Sequence, residues 1–133
     1  MEVLVAVLAA ATVLGLLHRL YQGRVRVQDA TDRAGVLVAL GEEPGARATL
    51  LQFSSAFCAP CRATRRVLAG VAAELEGVRH VEVDAESHLA LVRELGVLKT
   101  PTTLVLDDRG REAFRASGQP TRAAVLQALG SPA

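Results

Sequence analysis

The hydrophobic pattern divides the chain into one apolar stretch and a longer region in which strand and helix patterns alternate. Residues 3–17 carry no charge, and apolar positions continue through Leu20 and Tyr21. Farther along, period-two alternation indicates strands, and apolar residues spaced three or four apart indicate helices. The predicted order is β-α-β-α-β-α-β-β-α. Early alternation followed by a late hairpin predicts a mixed sheet with helices on both faces.

Turn and capping signals set the bounds of the predicted elements. Strands are expected at residues 24–28, 48–53, 78–84, 102–106 and 111–116. Helices are expected at residues 29–40, 61–76, 86–95 and 121–129. Gly77 is expected to cap the second of these helices, and residues 107–110 are expected to form the hairpin turn.

The apolar N-terminal stretch permits three interpretations. Residues 3–21 reach the length of about 20 residues that a membrane span needs, provided that Arg19 extends to the headgroups and Tyr21 lies at the interface. A cleaved signal peptide would begin with basic residues, whereas Glu2 is acidic and no small-x-small cleavage site follows. A buried core helix would have to be enclosed on every side by a small domain. We therefore predict an uncleaved single-pass anchor.

Charges beside the anchor predict its orientation. Glu2 precedes the span, and Arg19, Arg24 and Arg26 follow it. The positive-inside rule then places the following domain on the cytoplasmic side of the cell membrane. The predicted divisions are a transmembrane anchor at 1–21, a linker with a possible first strand at 22–29, and a domain at 30–133.

Composition narrows the classes of function. The chain has 133 residues, of which 50% are hydrophobic and 22% charged, so most of it is not a disordered tail. A net charge of +1 argues against a broad nucleic-acid-binding surface. Cys58 and Cys61 are the two cysteines, too few for a disulfide framework or for a four-ligand zinc site by themselves. Redox chemistry at one Cys-x-x-Cys motif is the remaining possibility of interest.

Cys58, Ala59, Pro60 and Cys61 lie between a predicted strand and a predicted helix. Unpaired N–H groups and the positive end of the helix dipole stabilise a thiolate at such a position. Because the thiolate is the nucleophile in disulfide exchange, Cys58 is the expected attacking residue. Cys61, one turn into the helix, is expected to be more buried and to resolve the mixed disulfide. Pro60 restrains the turn, and Arg62 adds positive charge.

Two other interpretations of the cysteine pair stay open. The two thiols could form half of a zinc site that His80 and His88 complete. The cysteines could also be buried and inert. A Cys-x-x-Cys that opens a helix after a strand favours a redox role over both alternatives. The redox interpretation requires no metal ion or organic cofactor.

Two segments resemble the thioredoxin family. Residues 57–62 (Phe-Cys-Ala-Pro-Cys-Arg) are similar to its usual Trp-Cys-Gly-Pro-Cys-Lys active site, and residues 97–102 (Val-Leu-Lys-Thr-Pro-Thr) resemble its cis-proline segment. The turn at 107–110 and the later Ser117-Gly118 pair also match, so that the resemblance extends over roughly residues 24–130. It implies an α/β thioredoxin fold, with a mixed central sheet flanked by helices. The apolar N-terminal stretch places one transmembrane helix before this fold.

The resemblance also implies a place where substrates bind. Pro101 would follow a cis peptide bond and face the two sulfurs, and the Thr100 backbone would pair with an extended substrate. A proline that merely begins a strand is the other interpretation of Pro101. Phe57 stands where the family usually has tryptophan. Thr100 stands where isoleucine is common, and it adds a hydroxyl near the sulfurs.

The usual aspartate–lysine pair of the family is replaced in this chain. Gln52 lies six residues before Cys58, where the aspartate is expected, and His80 aligns with the lysine. Glutamine is not a base, whereas histidine titrates near neutral pH, so His80 is a candidate to move the proton of the resolving thiol through water. The alternative is that His80 caps the start of a strand at the surface. Ser54 replaces a further aromatic residue below the site.

The resemblance and the predicted anchor together imply a membrane-anchored thiol–disulfide oxidoreductase that reduces disulfides in protein substrates. Its partners would be those substrates, a dithiol electron donor and the membrane, but no nucleic acid. One alternative is an extracytoplasmic thiol reductase that serves cytochrome maturation or disulfide traffic. Another is a non-catalytic module that keeps the fold and binds partners in the cis-proline groove.

Overall fold

Five strands form one mixed sheet. The computed structural model describes the backbone of residues 1–21 and 25–130, and the side chains of these residues except 21–31. The strands are β1 (Val25–Asp32), β2 (Ala48–Ser54), β3 (Val78–Asp84), β4 (Thr102–Asp107) and β5 (Arg111–Ser117). Their spatial order is β1-β5-β4-β2-β3; β2 and β3 pair in parallel, and the other three pairs are antiparallel.

Helices connect and cover the strands. They are α1 (Glu2–Tyr21), α2 (Ala34–Leu40), α3 (Ala59–Glu74), α4 (Leu89–Glu94) and α5 (Arg122–Gly130), with a single 3-10 turn at Ala85–Ser87. The predicted order of strands and helices after the anchor is confirmed. The predicted mixed sheet between helices is confirmed as well.

The two faces of the sheet build two separate cores. Leu51 and Phe53 of β2 point to the side covered by α2 and α4, whereas Leu50 points to the side covered by α3 and α5. This alternation follows from the two-residue period of a strand. Gln52 is two residues after Leu50, so its side chain points to the same face of the sheet, toward α3. Because β2 lies between β3 and β4, all of its residues are buried.

The helix predicted at residues 29–40 is wrong in its first part. There the chain continues β1 to Asp32, because it pairs with β5 through Thr31 with Glu112 and Asp32 with Arg111. The Asp32 carboxylate then accepts the Ala34 N–H at 2.9 Å, which begins α2. Only the part of the predicted helix from Ala34 onward is helical in the structure.

The predicted bounds of α3 and of its C-terminal turn also need correction. The helix begins at Ala59 rather than Cys61, because the Cys58 sulfur accepts the Cys61 N–H and so caps the first turn. It ends at Glu74, so Gly77 is not its cap. Gly77 instead has φ +80° in the turn before β3, where its carbonyl accepts the backbone N–H groups of residues 47 and 48.

The helix predicted at residues 86–95 is interrupted. Asp84 accepts the Glu86 N–H at 3.0 Å and the Ser87 hydroxyl at 2.7 Å, which favours the tighter 3-10 turn. The α-helix starts only after His88. By contrast, the predicted hairpin turn is confirmed: the Asp107 carboxylate accepts the N–H groups of Arg109 and Arg111, both at 2.9 Å.

The N-terminal helix is long and apolar enough to cross a membrane. The stretch Glu2–Leu20 has a mean hydropathy of 2.1, and none of it is buried in the protein. No side chain among residues 2–20 belongs to either core cluster. The predicted linker residues 22–24 and the last three positions, 131–133, lie outside the described residues.

Candidate active site

Cys58 and Cys61 form a disulfide at the start of α3. Their Cα atoms are 5.2 Å apart, and the Cys58 sulfur accepts the Cys61 N–H at 3.2 Å. Cys61 is 1% exposed, whereas Cys58 is partly exposed. The sulfur that a partner molecule can reach therefore belongs to Cys58. The N–H group that contacts this sulfur can also stabilise a thiolate there after reduction.

The loop before the helix directs Phe57 into solvent. Phe57 has φ +58°, a left-handed conformation that costs an L-residue about 1–2 kcal/mol, and its ring is fully exposed. Ala59 and Pro60 are exposed in the first turn of α3, where a proline sacrifices no helical hydrogen bond. Arg62 is exposed too, and its backbone N–H donates to the Cys58 carbonyl at 3.3 Å.

A second loop meets the disulfide from the start of β4. The Thr100–Pro101 peptide is cis, which confirms the predicted cis-proline. Thr100 Oγ1 lies 4.0 Å from Cys58 Sγ and 2.7 Å from Ser55 Oγ. Sequence reasoning missed Ser55, because its contact with Thr100 depends on the meeting of two loops that are distant in the chain. The Gly118 N–H donates to the Pro101 carbonyl at 2.8 Å, which ties this loop to the end of β5.

Gln52 lies behind the buried cysteine and is completely buried itself. Its amide nitrogen donates to the Cys61 carbonyl and to Ser54 Oγ, both at 2.9 Å. Its amide oxygen accepts a hydrogen bond from His80 Nε2 at 2.9 Å. Both N–H groups and the oxygen of Gln52 thus have partners, and the side chain holds the first turn of α3 against β2.

His80 is the third residue of β3 and is partly buried, so it is not an exposed cap at the strand start. An amide oxygen only accepts hydrogen bonds, so His80 Nε2 carries the hydrogen in its contact with Gln52. Burial lowers the pKa of His80; the Glu82 charge opposes this shift, and the Arg65 charge adds to it. His80 cannot pass a proton to Cys61 through Gln52, because the amide is not a base.

Glu82 and Arg65 form an ion pair with two hydrogen bonds beside His80. The hydrogen bond from Arg65 is the main reason why the pKa of Glu82 is lowered, and the same contact raises the pKa of Arg65. Sequence reasoning missed this pair, which forms because Glu82 is the parallel-strand partner of Gln52 and faces α3. The ion pair neutralises one of the three arginines near the start of α3.

The histidines proposed for a zinc site do not gather around the cysteines. His88 is exposed, and its ring nitrogen Nδ1 contacts the Asp84 carbonyl at 3.0 Å. His80 is engaged with Gln52. Among residues 1–21 and 25–130, no group of three or more His, Cys, Asp or Glu side chains is arranged to hold a metal ion.

Comparison with known proteins gives one consistent family. The Thioredoxin family matches residues 42–131. The human thioredoxin domain-containing protein 2 is 34% identical over 61 residues, which are 46% of this chain and 11% of that protein. The chain therefore spans only a small part of that relative.

Solved structures agree in fold. Chloroplastic thioredoxin z, with a TM-score of 0.60, is 24% identical, and the match covers 79% of this chain and 95% of that one. Mitochondrial thioredoxin 3 from Saccharomyces cerevisiae, in its oxidised form, also has a TM-score of 0.60; it is 17% identical over 77% of this chain and 95% of that one.

Proposed function

Because the chain belongs to the thioredoxin family, we propose that it reduces disulfide bonds in protein substrates, with Cys58 as the nucleophile. Family membership and the Cys58–Cys61 disulfide support a disulfide oxidoreductase. The observation that carries the finer proposal is the partial exposure of Cys58 beside the buried Cys61. The Cys58 sulfur lies at the N-terminus of α3 and within 4.0 Å of the Thr100 hydroxyl beside the cis-proline.

The proposed exchange has two steps. In the reduced protein the Cys58 thiolate attacks a substrate disulfide; a Cys58–substrate bond forms, and one substrate thiolate leaves. The Cys61 thiol then loses its proton and its sulfur attacks Cys58 Sγ, which releases the second substrate thiolate. The two leaving sulfurs are protonated, so one dithiol protein and one disulfide give one disulfide protein and two thiols. A separate dithiol donor returns the protein to its reduced form.

Neighbouring residues have distinct roles in this proposal. The Thr100–Pro101 backbone presents an edge to which an extended substrate segment can pair. Gln52 positions the first turn of α3 through the Cys61 carbonyl. His80 remains a candidate acceptor for the Cys61 proton, by a route through water that bypasses the Gln52 amide.

A trapping experiment tests the roles of the two cysteines. In Cys61→Ser the first step can occur but the second cannot, so mixed disulfides with substrate proteins should accumulate. Cys58→Ser is the matched control and should trap none. The wild-type chain should catalyse reduction of insulin disulfides by a dithiol. Failure of the wild-type chain to turn over insulin, or equal trapping by both variants, would favour a non-catalytic binding module.

We propose further that α1 is a membrane anchor with the domain on the cytoplasmic side. Its length, apolar composition and lack of burial support an anchor, and the arginines that follow the span favour this orientation. A cleaved signal sequence has a similar composition, so N-terminal sequencing of the mature protein tests the anchor. An anchor is retained in the mature protein, whereas a signal sequence is removed. A reporter fused to the C-terminus tests the orientation, and reporter activity outside the cytoplasm would favour the extracytoplasmic reductase.

A further inference from the structure

Positive charge is concentrated at the disulfide although the chain as a whole is nearly neutral. Four of the 15 basic residues and none of the 14 acidic residues lie in residues 55–73 and 95–106, the two segments that meet at Cys58. The rest of the chain therefore has eleven basic and fourteen acidic residues. The two segments that meet at Cys58 thus carry a net charge of +4, four basic minus no acidic residues, and the rest of the chain carries −3, eleven basic minus fourteen acidic residues.

Three of these four charges have no counterion among the side chains that the structure describes. Arg65 pairs with Glu82, whereas the exposed side chains of Arg62, Arg66 and Lys99 form no ion pair or hydrogen bond with any described residue. Arg62 and Arg66 are one turn apart on α3, so they lie on the same face of the helix. Like charges this close repel each other until an anion arrives between them.

Two large apolar side chains lie beside these charges. Phe57, which directly precedes Cys58, is fully exposed, and Leu98, two residues before Thr100, is almost fully exposed. Each side of the disulfide therefore presents one apolar and at least one basic side chain. Exposed apolar groups next to arginine are typical of surfaces that bind other proteins.

We propose that these five residues form a docking surface for an extended client segment whose disulfide is flanked by acidic side chains. Carboxylates of the client would pair with Arg62, Arg66 and Lys99, and an apolar client residue would pack against Phe57 or Leu98. The proposal rests on the proposed function and narrows its substrate class. An anionic bilayer suits the surface less well, because it would cover the Cys58 sulfur that lies within it.

Three synthetic peptides test this inference. Each contains one disulfide, and they differ only in the residues that flank the cysteines, which are aspartate, serine or lysine. The full-length chain is reduced, freed of reductant in a neutral detergent, and mixed with each peptide in a single-turnover measurement. We expect the aspartate peptide to react about tenfold faster than the lysine peptide at low salt, and the difference to shrink as ionic strength rises.

Charge-reversal variants locate the effect. Arg66→Glu and Lys99→Glu should each reduce the preference for the aspartate peptide about twofold to fivefold, the range expected for an exposed ion pair. The matched control is Arg109→Glu, an exposed residue in the turn at the far end of β4, which should leave the preference unchanged. Arg62 is left in place, because it lies one helical turn from Cys58, to which its backbone N–H donates, and the loss of its charge would also alter the electrostatic environment of the thiolate.

The outcomes separate this inference from the proposed function. Reaction with all three peptides at one rate, or a preference that survives both variants, would overturn the docking surface but leave disulfide reduction intact. No reaction with any peptide would contradict the proposed function itself. The measurement is repeated with the protein in phosphatidylcholine vesicles and in vesicles that contain phosphatidylserine. Loss of the preference for the aspartate peptide in the phosphatidylserine vesicles would mean that the surface binds an anionic bilayer, which would overturn the proposal of an acidic client.

Discussion

At the residue scale, two hydroxyl groups, those of Ser55 and Thr100, are linked in a row that ends at the Cys58 sulfur. Ser55 Oγ and Thr100 Oγ1 are 2.7 Å apart, and Thr100 Oγ1 is 4.0 Å from Cys58 Sγ. The Thr100 hydroxyl has one hydrogen, which it directs to the sulfur, so the Ser55 hydroxyl donates to Thr100. A hydrogen bond to a charged acceptor is stronger than one to a neutral acceptor. The two linked hydroxyls therefore favour the Cys58 thiolate over the thiol.

Removal of the Thr100 hydroxyl should therefore slow the reaction of Cys58 with an alkylating agent. We expect Thr100→Val to reduce the rate of iodoacetamide alkylation near neutral pH about twofold to fivefold, because the fraction of thiolate falls. Thr100→Ser keeps the hydroxyl and is the matched control, with a rate near that of the wild type. Ser55→Ala should have a smaller effect in the same direction. An unchanged rate in Thr100→Val would show that the hydroxyl has no influence on the sulfur.

His80 supplies a second prediction at this scale. Burial lowers the pKa of His80; the charge of Glu82 opposes this shift, and the charge of Arg65 adds to it. The imidazole of His80 therefore binds a proton more readily in the unfolded chain than in the folded one. The stability that neutral His80 provides is therefore present above about pH 6.5 and is lost as the pH falls through that value toward the lower folded pKa. Urea unfolding of the wild type should show this loss as the pH is lowered from about 7.5 through about 6.5 and below.

His80→Gln is the comparison for this measurement. Glutamine can still donate an N–H to the Gln52 amide oxygen, but it does not titrate. The free energy of unfolding should thus depend less on pH in the variant than in the wild type over the same range. Parallel profiles would mean that burial of His80 has no cost for its charged form.

Residue patterns could locate this site but not its contacts. The motifs identified Cys58, Cys61 and Pro101, and the alignment with the family pointed to Gln52 and His80. The direct bond between the last two could not be foreseen, because it depends on the rotamers of side chains on neighbouring strands. No sequence pattern pointed to Ser55 or Glu82, because a single serine or glutamate at a functional site looks the same in a sequence as one at any exposed position.

At the scale of secondary-structure elements, one buried carboxylate joins three segments. Glu112 of β5 is fully buried and accepts hydrogen bonds from Arg115 at 2.7 and 3.0 Å and from Arg33 at 3.2 Å. Arg33 directly precedes α2, and Arg115 also reaches the Gly96 carbonyl after α4, at 3.4 Å. Glu112 thereby connects the sheet to both helices on that face.

Glu112→Gln should be clearly destabilising. The variant keeps the size of the side chain but leaves two guanidinium groups without their counterion. Breaking a buried ion pair costs about 3–5 kcal/mol, and because both arginines are partly exposed we expect a loss of about 2–3 kcal/mol in the free energy of unfolding. Urea unfolding measures it. Glu94→Gln, an exposed position on α4, is the control; an equal effect in both variants would contradict the argument.

The elements show where local patterns fail. Strands β2 to β5 were predicted to within one residue, because their apolar runs or alternating patterns are bounded by clear turn signals. The helix predicted from residue 29 failed since pairing of β1 with β5 overrides the helical spacing there. The interruption at His88 has a similar cause: the side chain of Asp84 forms a local turn that periodicity cannot reveal.

At the scale of the whole molecule, the described side chains of the N-terminal helix add nothing to the two cores. No side chain of residues 2–20, the part of α1 whose side chains the structure describes, belongs to either core cluster, and Glu2–Leu20 is unburied. A helix that gives no buried surface to the core adds little to the stability of the domain. The apolar side chains of Glu2–Leu20 instead remain exposed, and a lipid bilayer is the cover that we propose for them.

Deletion of residues 1–21 should consequently separate localisation from folding. We expect the shortened chain to move from the membrane fraction to the supernatant, and its Tm to stay within about 3 °C of the full chain, since about 1 kcal/mol shifts the Tm of such a domain by 4–8 °C. Leu8→Arg in the full chain is the matched control: a charge near the middle of the span costs about 2.5–3.5 kcal/mol of insertion and should weaken membrane association without shortening the protein.

A fall in Tm of about 10 °C or more on deletion would instead identify α1 as a core helix, because only lost packing explains so large a change. Unchanged membrane association after deletion would place the anchor elsewhere in the chain.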